Sequence, residues 1–378
     1  MKRLIKLKRI FILLLIPLSF LITYLAKANR TFAEEVFAKR IYHVYSIVIS
    51  NITGIFPFSI GEITLLITPI LLTVILIRFI LKVVRCTTKK DQDKIKQPTR
   101  GYLIRKGFLN VGCALSILLF MYTIGCGVNY YRYPFSYYSN LTIQDSTESE
   151  LKELCLSLSN QANMIRSQIT SEDNFGVFKF SESISNVNGE IVKAYHNLSK
   201  KYPILSGSYP KAKSVIVSRF MSRMEITGIF WPFTMEANVN VDIPEHSIPA
   251  TMAHEMAHLR GFMREDEANY IAYLACTSSD NLEIQYSGVI LALIISGNAL
   301  YDKNPDLYYE VSSTYSTKVR IDLNANTEYW RQFENKTISD IADQINNTYL
   351  IMNDQEDGVQ SYGRMVDLLL AEYRASKR

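Results

Sequence analysis

The stretch Ile248-Pro-Ala-Thr-Met-Ala-His-Glu-Met-Ala-His-Leu-Arg-Gly-Phe-Met-Arg-Glu-Asp-Glu-Ala-Asn269 decides how the rest of the chain is read. Its centre, His254-Glu255-Met256-Ala257-His258, is an H-E-x-x-H motif. Residues four apart share a helix face, so both imidazoles can point at one ion. Glu255 then sits beside the open coordination position, where a general base is needed. The motif alone recurs by chance, and its flanks carry more weight. Ser247 suits a helix N-cap, Pro249 the first turn and Gly261 a helix stop. A second helix is expected from Glu265-Asp266-Glu267 to about Cys276, with Ala268, Ile271 and Ala275 as its apolar stripe. A catalytic zinc usually takes three protein ligands and a water, so one of these acidic residues is wanted as the third.

Glu265-Asp-Glu-Ala-Asn269 resembles the E-x-x-A-D/N signature of gluzincin-type zinc metallopeptidases. The resemblance implies Zn2+ as cofactor, with Glu265 as the third ligand and Asn269 behind a ligand histidine. It also implies Glu255 as catalytic base. Two departures stand out. Glu265 follows His258 more closely than in many gluzincins. Gly261 sits where metzincins keep a glycine, but their third histidine would fall at Arg264, which cannot ligate. Glu267 is held in reserve for Glu265. The competing reading is a surface helix followed by a solvated acidic turn. Against it, two of only five histidines fall in this motif, with the right glutamate between them.

The 378 residues leave room for two or three domains, and the net charge of +5 conceals a basic N-terminal third. Basic residues interleaved with aromatics are missing from the remainder, so nucleic acid is not an expected partner. Apolar runs at about 10–27, 63–84 and 108–128 suit membrane spans, making the lipid bilayer an expected partner. Leu25-Ala-Lys-Ala28 resembles a signal-peptide cleavage site, but with further spans following, an uncleaved anchor is the preferred reading. The loop from Arg85 to Lys106 is rich in Lys and Arg, which by the positive-inside rule puts it and the N-terminus in the cytoplasm. Everything beyond the third span is then outside. Between the first two spans, Phe37, Ile41, Val44, Val48 and Ile52 recur at helical spacing. This suits either an amphipathic helix on the outer membrane surface or a helix packed on the soluble domain.

From about Thr142 the composition becomes globular. Thr147-Glu-Ser-Glu150 reads as a capping box opening a helix, and another is expected over 184–200. Lys213–Arg219 and Glu236–Ile243 alternate as strands. The second, just before the motif helix, is expected as the edge that binds extended peptide in gluzincins, or as a purely structural edge. Val289–Ile295 is too short an apolar core for a fourth span and reads as a buried helix. Helices are expected at 311–323, 338–352 and 361–374, with a turn at 354–358. Cys155 and Cys276 lie outside, and Cys276 is expected as a free core thiol. As a whole the chain resembles an uncharacterised family of bacterial membrane proteins. The features shared are the spans, H-E-x-x-H followed by E-x-E-A-N, and Gly358-Val-Gln-Ser-Tyr-Gly363. That resemblance implies a bacterial cell membrane location and says nothing of substrate.

The expected fold class is mostly α with a small β-sheet (α+β). Three transmembrane helices occupy 1–128, a juxtamembrane linker 129–141, and a zincin-like extracytoplasmic domain 142–378. The expected activity is hydrolysis of a peptide or protein substrate, with His254, His258 and Glu265 on zinc and Glu255 moving the proton. An oxyanion donor is sought among Tyr286, Tyr362 and His246, with Tyr286 preferred because Glu283–Gly288 closely follows the ligand helix. Two rival readings stand beside this one. The first is a catalytically silent, zincin-like membrane sensor, which leaves Glu255 unexplained. The second is an intramembrane protease, which the charged flanks Glu245, Arg260, Arg264 and Asp266 oppose.

Overall fold

A computed structural model describes residues 2–88, 99–334 and 364–377, together with position 344. The expected helix at 338–352, the turn at 354–358, Tyr362 and the middle of the basic loop lie outside these residues. The fold is mostly helical with one small three-stranded sheet. The N-terminal region comprises α1 (Lys2–Leu13), α2 (Leu15–Ala28), a π-helical run (Phe32–Tyr42), α3 (His43–Gly54), α4 (Ile60–Thr88) and α5 (Arg100–Gly125). It is followed by α6 (Phe135–Ser139), α7 (Glu148–Gln168), α8 (Ile184–Lys201) and α9 (Ser218–Arg223). The motif region holds α10 (Ile248–Leu259) and α11 (Glu265–Thr277). The chain closes with α12 (Leu282–Lys303), α13 (Pro305–Ser312), α14 (Thr317–Arg331) and α15 (Met365–Ser376).

Among the described residues four helices, not three, are long and apolar enough to cross a membrane: Lys8–Ala28, Ile60–Arg85, Arg100–Gly125 and Leu282–Lys303. Their surroundings separate them. The apolar windows of the first three are 11%, 0% and 17% buried, whereas 61% of the fourth lies inside the fold. The fourth helix, α12, packs against α7, α10 and α11. Gly288 allows that approach, since a Cβ there would come within 2.6 Å of the Cys276 Cβ. Cys155 and Cys276 are both buried and free, so no disulfide joins them.

Capping chemistry explains several boundaries. Thr147 and Glu150 form the reciprocal capping box that starts α7. The helix expected over 311–323 is broken instead, because Ser316 caps a fresh start by accepting from the Val319 amide. Residues 129–141, the stretch expected as a juxtamembrane linker, include the short helix α6. Phe135 is fully buried, with its ring edge-on to Tyr202, Phe262 and Tyr270 at 5.2, 5.4 and 6.0 Å.

The sheet runs β1 (Lys213–Ser214), β3 (Glu236–Val239), β2 (Gly228–Trp231), with β1 parallel and β2 antiparallel to β3. This corrects two strand expectations. Lys213–Arg219 is strand only at its start. Beyond it the amides of Ile216 and Val217 bond the Glu62 carboxylate at 3.1 and 2.8 Å, and the chain turns into α9. The strand from Glu236 stops at Val239, since Asn240 Oδ1 accepts from the Asp242 amide and bends the chain. It is also the central strand, not an edge.

The long apolar helix α4 is tied to this sheet. Glu236 on β3 accepts from the amides of Ile60 and Gly61, unpaired donors in the first turn of α4, at 3.1 and 2.7 Å. The ends of α2 and α5 join a second core, in which Ala26 and Cys126 meet Tyr42, Leu259 and Met263. Of the two readings of the segment after α2, packing on the domain holds for one face only. Phe37 is buried, while Ile41, Val44, Val48 and Ile52 are exposed.

Candidate metal centre

The motif helix is punctuated much as its sequence suggests. Pro249 lies in the first turn, and Gly261, at φ +88°, ends the helix with its amide on the His258 carbonyl at 2.8 Å. Ser247 makes no cap bond and belongs to a preceding 3-10 turn. The role passes to α12, where Ser287 Oγ accepts from the Ala250 amide at 3.0 Å. Tyr195 on α8 donates to the Ala253 carbonyl at 2.5 Å. At the other end, Tyr42 donates to the carbonyls of His258 and Leu259 at 3.0 and 3.3 Å. The buried Arg132 forms a bidentate pair with Glu34 and reaches the Arg260 carbonyl at 3.3 Å. The helix is thus held from three sides.

On it, His254 and His258 stack perpendicular, 4.7 Å between ring centres. Each is oriented through Nδ1. His254 Nδ1 meets Asn269 Oδ1 at 2.8 Å, and His258 Nδ1 meets the Phe262 carbonyl at 2.7 Å. A carbonyl oxygen can only accept, which puts a proton on each Nδ1, so that each imidazole when neutral turns the lone pair of Nε2 to the site. Both Nε2 atoms face Glu265, at 3.0 Å to Oε2 and 3.6 Å to Oε1. Among the described residues these three side chains form the group whose donor atoms all lie within 4.8 Å of one another. Two ligands bound about 2.0–2.1 Å from one tetrahedral ion stand roughly 3.3 Å apart, so the donor set fits zinc.

The electrostatics point the same way. Burial works against charge on His258, but the Glu265 carboxylate outweighs it and lifts the imidazole to about 9. Burial would raise Glu265 too, yet the two imidazoles hold it well below the carboxylate range. The cluster therefore wants a cation between its lone pairs, which a proton or a divalent metal can supply. Glu255 is buried beside it, and burial pushes its carboxyl above the ordinary range despite the two neighbouring histidines. Its Oε2 has no hydrogen-bond partner among the described residues. Gly228, at the start of β2, is needed there: a Cβ would fall 2.5 Å from Glu255 Oε1.

Other candidates go elsewhere. Glu267 is buried and turned away, accepting from the Phe135 amide and Arg264, both at 3.0 Å. Tyr286 does not reach the cluster either. It is fully buried and donates to Asp322 at 2.7 Å, because Asp322 and Arg166 need a partner inside the core. His246 packs near the same tyrosine, 6.5 Å between rings, with neither ring nitrogen partnered among the described residues. Tyr362 lies outside those residues. Missing from the sequence reading were β2 and Tyr42. Gly228-Ile-Phe-Trp-Pro232 has no period-two alternation to reveal a strand, although a glycine opening an apolar run hints at close backbone approach.

A comparison with curated proteins and with solved structures finds no match. Residues 37–370, however, match a family described as protein of unknown function, DUF3810. With most of its length covered, from the segment after α2 through to α15, the chain belongs to that family.

Proposed function

We propose that this protein is a membrane-anchored zinc metallopeptidase acting on peptide bonds outside the cytoplasm. The observation that carries the reading is the convergence of three donors with Glu255 beside them. Both Nε2 atoms and the Glu265 carboxylate meet at one point, and a buried carboxylate oxygen of Glu255 is left without a partner among the described residues. On this reading His254, His258 and Glu265 hold zinc. When bound, the ion acts as a Lewis acid toward the scissile carbonyl and brings the pKa of a water toward neutrality. Glu255 accepts the proton of the attacking water and hands it to the leaving amine. Its raised pKa suits a group that must both take and return a proton. Asn269 and the Phe262 carbonyl keep the two imidazoles in the tautomer that faces the site.

The outer strand β2 runs past Glu255, with Gly228 at its start packed against that carboxylate. An extended substrate adding to this edge would lie next to the general base. In the same reading α2, α4 and α5 cross the bilayer, which their bare apolar surfaces support, while α12 stays in the fold. The basic residues between α4 and α5 favour a cytoplasmic loop, with the zinc-binding region outside.

The test uses the full-length protein in detergent, since the packing joins the N-terminal helices to α10. Elemental analysis should find close to one zinc per chain, and a general peptidase assay should detect turnover. Glu255→Gln should keep the metal and lower turnover by about 10²–10⁴-fold, the usual share of acid–base catalysis. Absence of any transition metal would sink the reading. Zinc without turnover in the unaltered protein would favour the silent sensor instead.

A further inference from the structure

The segment between α2 and α4 is built inside out. At Asn29 the backbone leaves the helical region (φ −143°, ψ 96°), and the chain turns off the end of α2. Along the π-helical run the face turned to the domain is mixed, with Glu34 and Tyr42 buried beside Ala33, Phe37 and Ala38, and along α3 it is polar: Ser46, Ser50 and Thr53 are buried. The opposite face carries Val36, Ile41, Val44, Val48, Ile52 and Ile55, all exposed. Ser46 is 0% exposed where Val44, two residues away, is 59% exposed. A surface helix in water has the reverse pattern.

Specific bonds fix this orientation. Glu34 is paired with Arg132, and Tyr42 bonds the His258 carbonyl. Ser46 bonds the Tyr209 hydroxyl at 3.1 Å, and Thr53 the Thr234 carbonyl at 3.0 Å. Rotating the helix to bury its aliphatic stripe would break all four contacts and split the buried Glu34–Arg132 pair. The stripe is therefore held outward although burying each such side chain is worth about 1.5–3 kcal/mol.

We infer that this stripe lies in the outer surface of the lipid bilayer, so that the segment is an interfacial helix carrying the candidate metal centre on its other face. Continuity with the spans identifies lipid as the occupant. The segment leaves α2 and enters α4, both of which expose apolar side chains along their length. If both helices cross the membrane, the residues joining them begin and end on one side. At 1.5 Å per residue, 32–54 covers roughly 35 Å along that surface. The domain covers one side of it, and the bilayer is the apolar phase on the other. Arg40, exposed and adjacent to Ile41 in sequence, suits the phosphate level of anionic lipid. Through Tyr42 the C-terminal end of α10 is tied to this helix. Given the peptidase reading, the substrate class this favours is polypeptide held at the membrane surface.

The inference rests on the membrane part of the reading above and is independent of the zinc chemistry. The unaltered full-length protein, reconstituted in liposomes of mixed neutral and anionic lipid, is photolabelled with a bilayer-partitioning diazirine and the labelled residues are mapped. Labels are expected within 63–84 and at 44, 48 and 52. None is expected at Phe175, which is 83% exposed on the domain. Labelling of 63–84 without 36–55 would overturn the inference and leave the membrane reading standing, since water or another protein surface would then cover the stripe. Absence of label from both regions would overturn both.

Discussion

Two buried histidine environments lie at opposite ends of one short stretch of chain. His254 and His258 each spend Nδ1 on an acceptor and leave Nε2 aimed at a shared carboxylate. His246, just ahead of α10, is buried with both ring nitrogens unpartnered among the described residues, against Tyr286 and below Arg166 and Asp322. Composition does not distinguish these histidines. What separates a ligand from a packing residue is where the second nitrogen points once the first is engaged. The carboxylates divide the same way. Glu265 faces the two Nε2 atoms. Asp322 is saturated, accepting from Arg166 Nε, the Tyr286 hydroxyl and the Phe178 amide, each at 2.7 Å.

The largest effect expected of this comparison falls on the saturated carboxylate. Asp322→Ala strands the guanidinium of Arg166, fully buried, with Glu172 at 3.2 Å as its remaining acid partner. Removing one partner of a buried pair costs about 3–5 kcal/mol. Denaturation in detergent should show a loss of that order, while the protein that remains folded binds as much of the proposed zinc as the unaltered chain. Loss of metal at unchanged stability would break the division drawn here, placing Asp322 in the metal centre.

The sequence exposes one of these environments and hides the other for a physical reason. The candidate ligands at 254, 258 and 265, with Asn269 behind them, come from two consecutive helices, and helical periodicity alone brings them onto facing sides. The Arg166–Asp322–Tyr286 cluster joins α7, α12 and α14, and no local spacing announces it. Tyr286 looked available because it follows α11 closely, yet its hydroxyl was already claimed by a residue far along the chain. Helix α7 was legible for the same reason as the ligands, its capping box lying within four residues. Strand β2 and the true end of β1 were not, because β2 is made by its pairing with β3 and β1 is ended by Glu62, far away in sequence. The fourth apolar helix was expected inside the fold because its apolar core, Val289–Ile295, looked too short to span, yet the whole helix is long and apolar enough, and it is its 61% burial that sets it apart.

A smaller effect should come from His246 itself. Burial, helped by Arg166 and opposed by Asp322, lowers its pKa to about 4. In the unfolded chain the imidazole titrates near 6.5, so between these values the unfolded state binds the extra proton. Its contribution is fully present above pH 6.5 and is lost as the pH falls toward 4, at most about 3 kcal/mol. Melting midpoints measured across that window should decline with acid, and His246→Leu should flatten the decline. An unchanged acid limb in the variant would show that His246 is not held neutral by its surroundings, which would erase its contrast with His254.

The smallest effect separates the two proposed ligand histidines from each other. His258 is oriented by the Phe262 backbone carbonyl, which no substitution removes, whereas His254 depends on the Asn269 side chain at 2.8 Å. Asn269 lies one helical turn beyond Glu265, so α11 offers the ligand and the support for another ligand from one face. Asn269→Ala should free one imidazole to rotate and change tautomer while leaving the other in place. Loss of such a support lowers metal affinity by about ten- to a hundredfold, about 1.4–2.7 kcal/mol. Competition against a chromophoric chelator measures it. Asn269→Asp, which keeps an acceptor in place, should recover most of the affinity, a rescue that mere repair of helix packing would not predict. Unchanged affinity in Asn269→Ala would mean that packing, and not this hydrogen bond, aims His254.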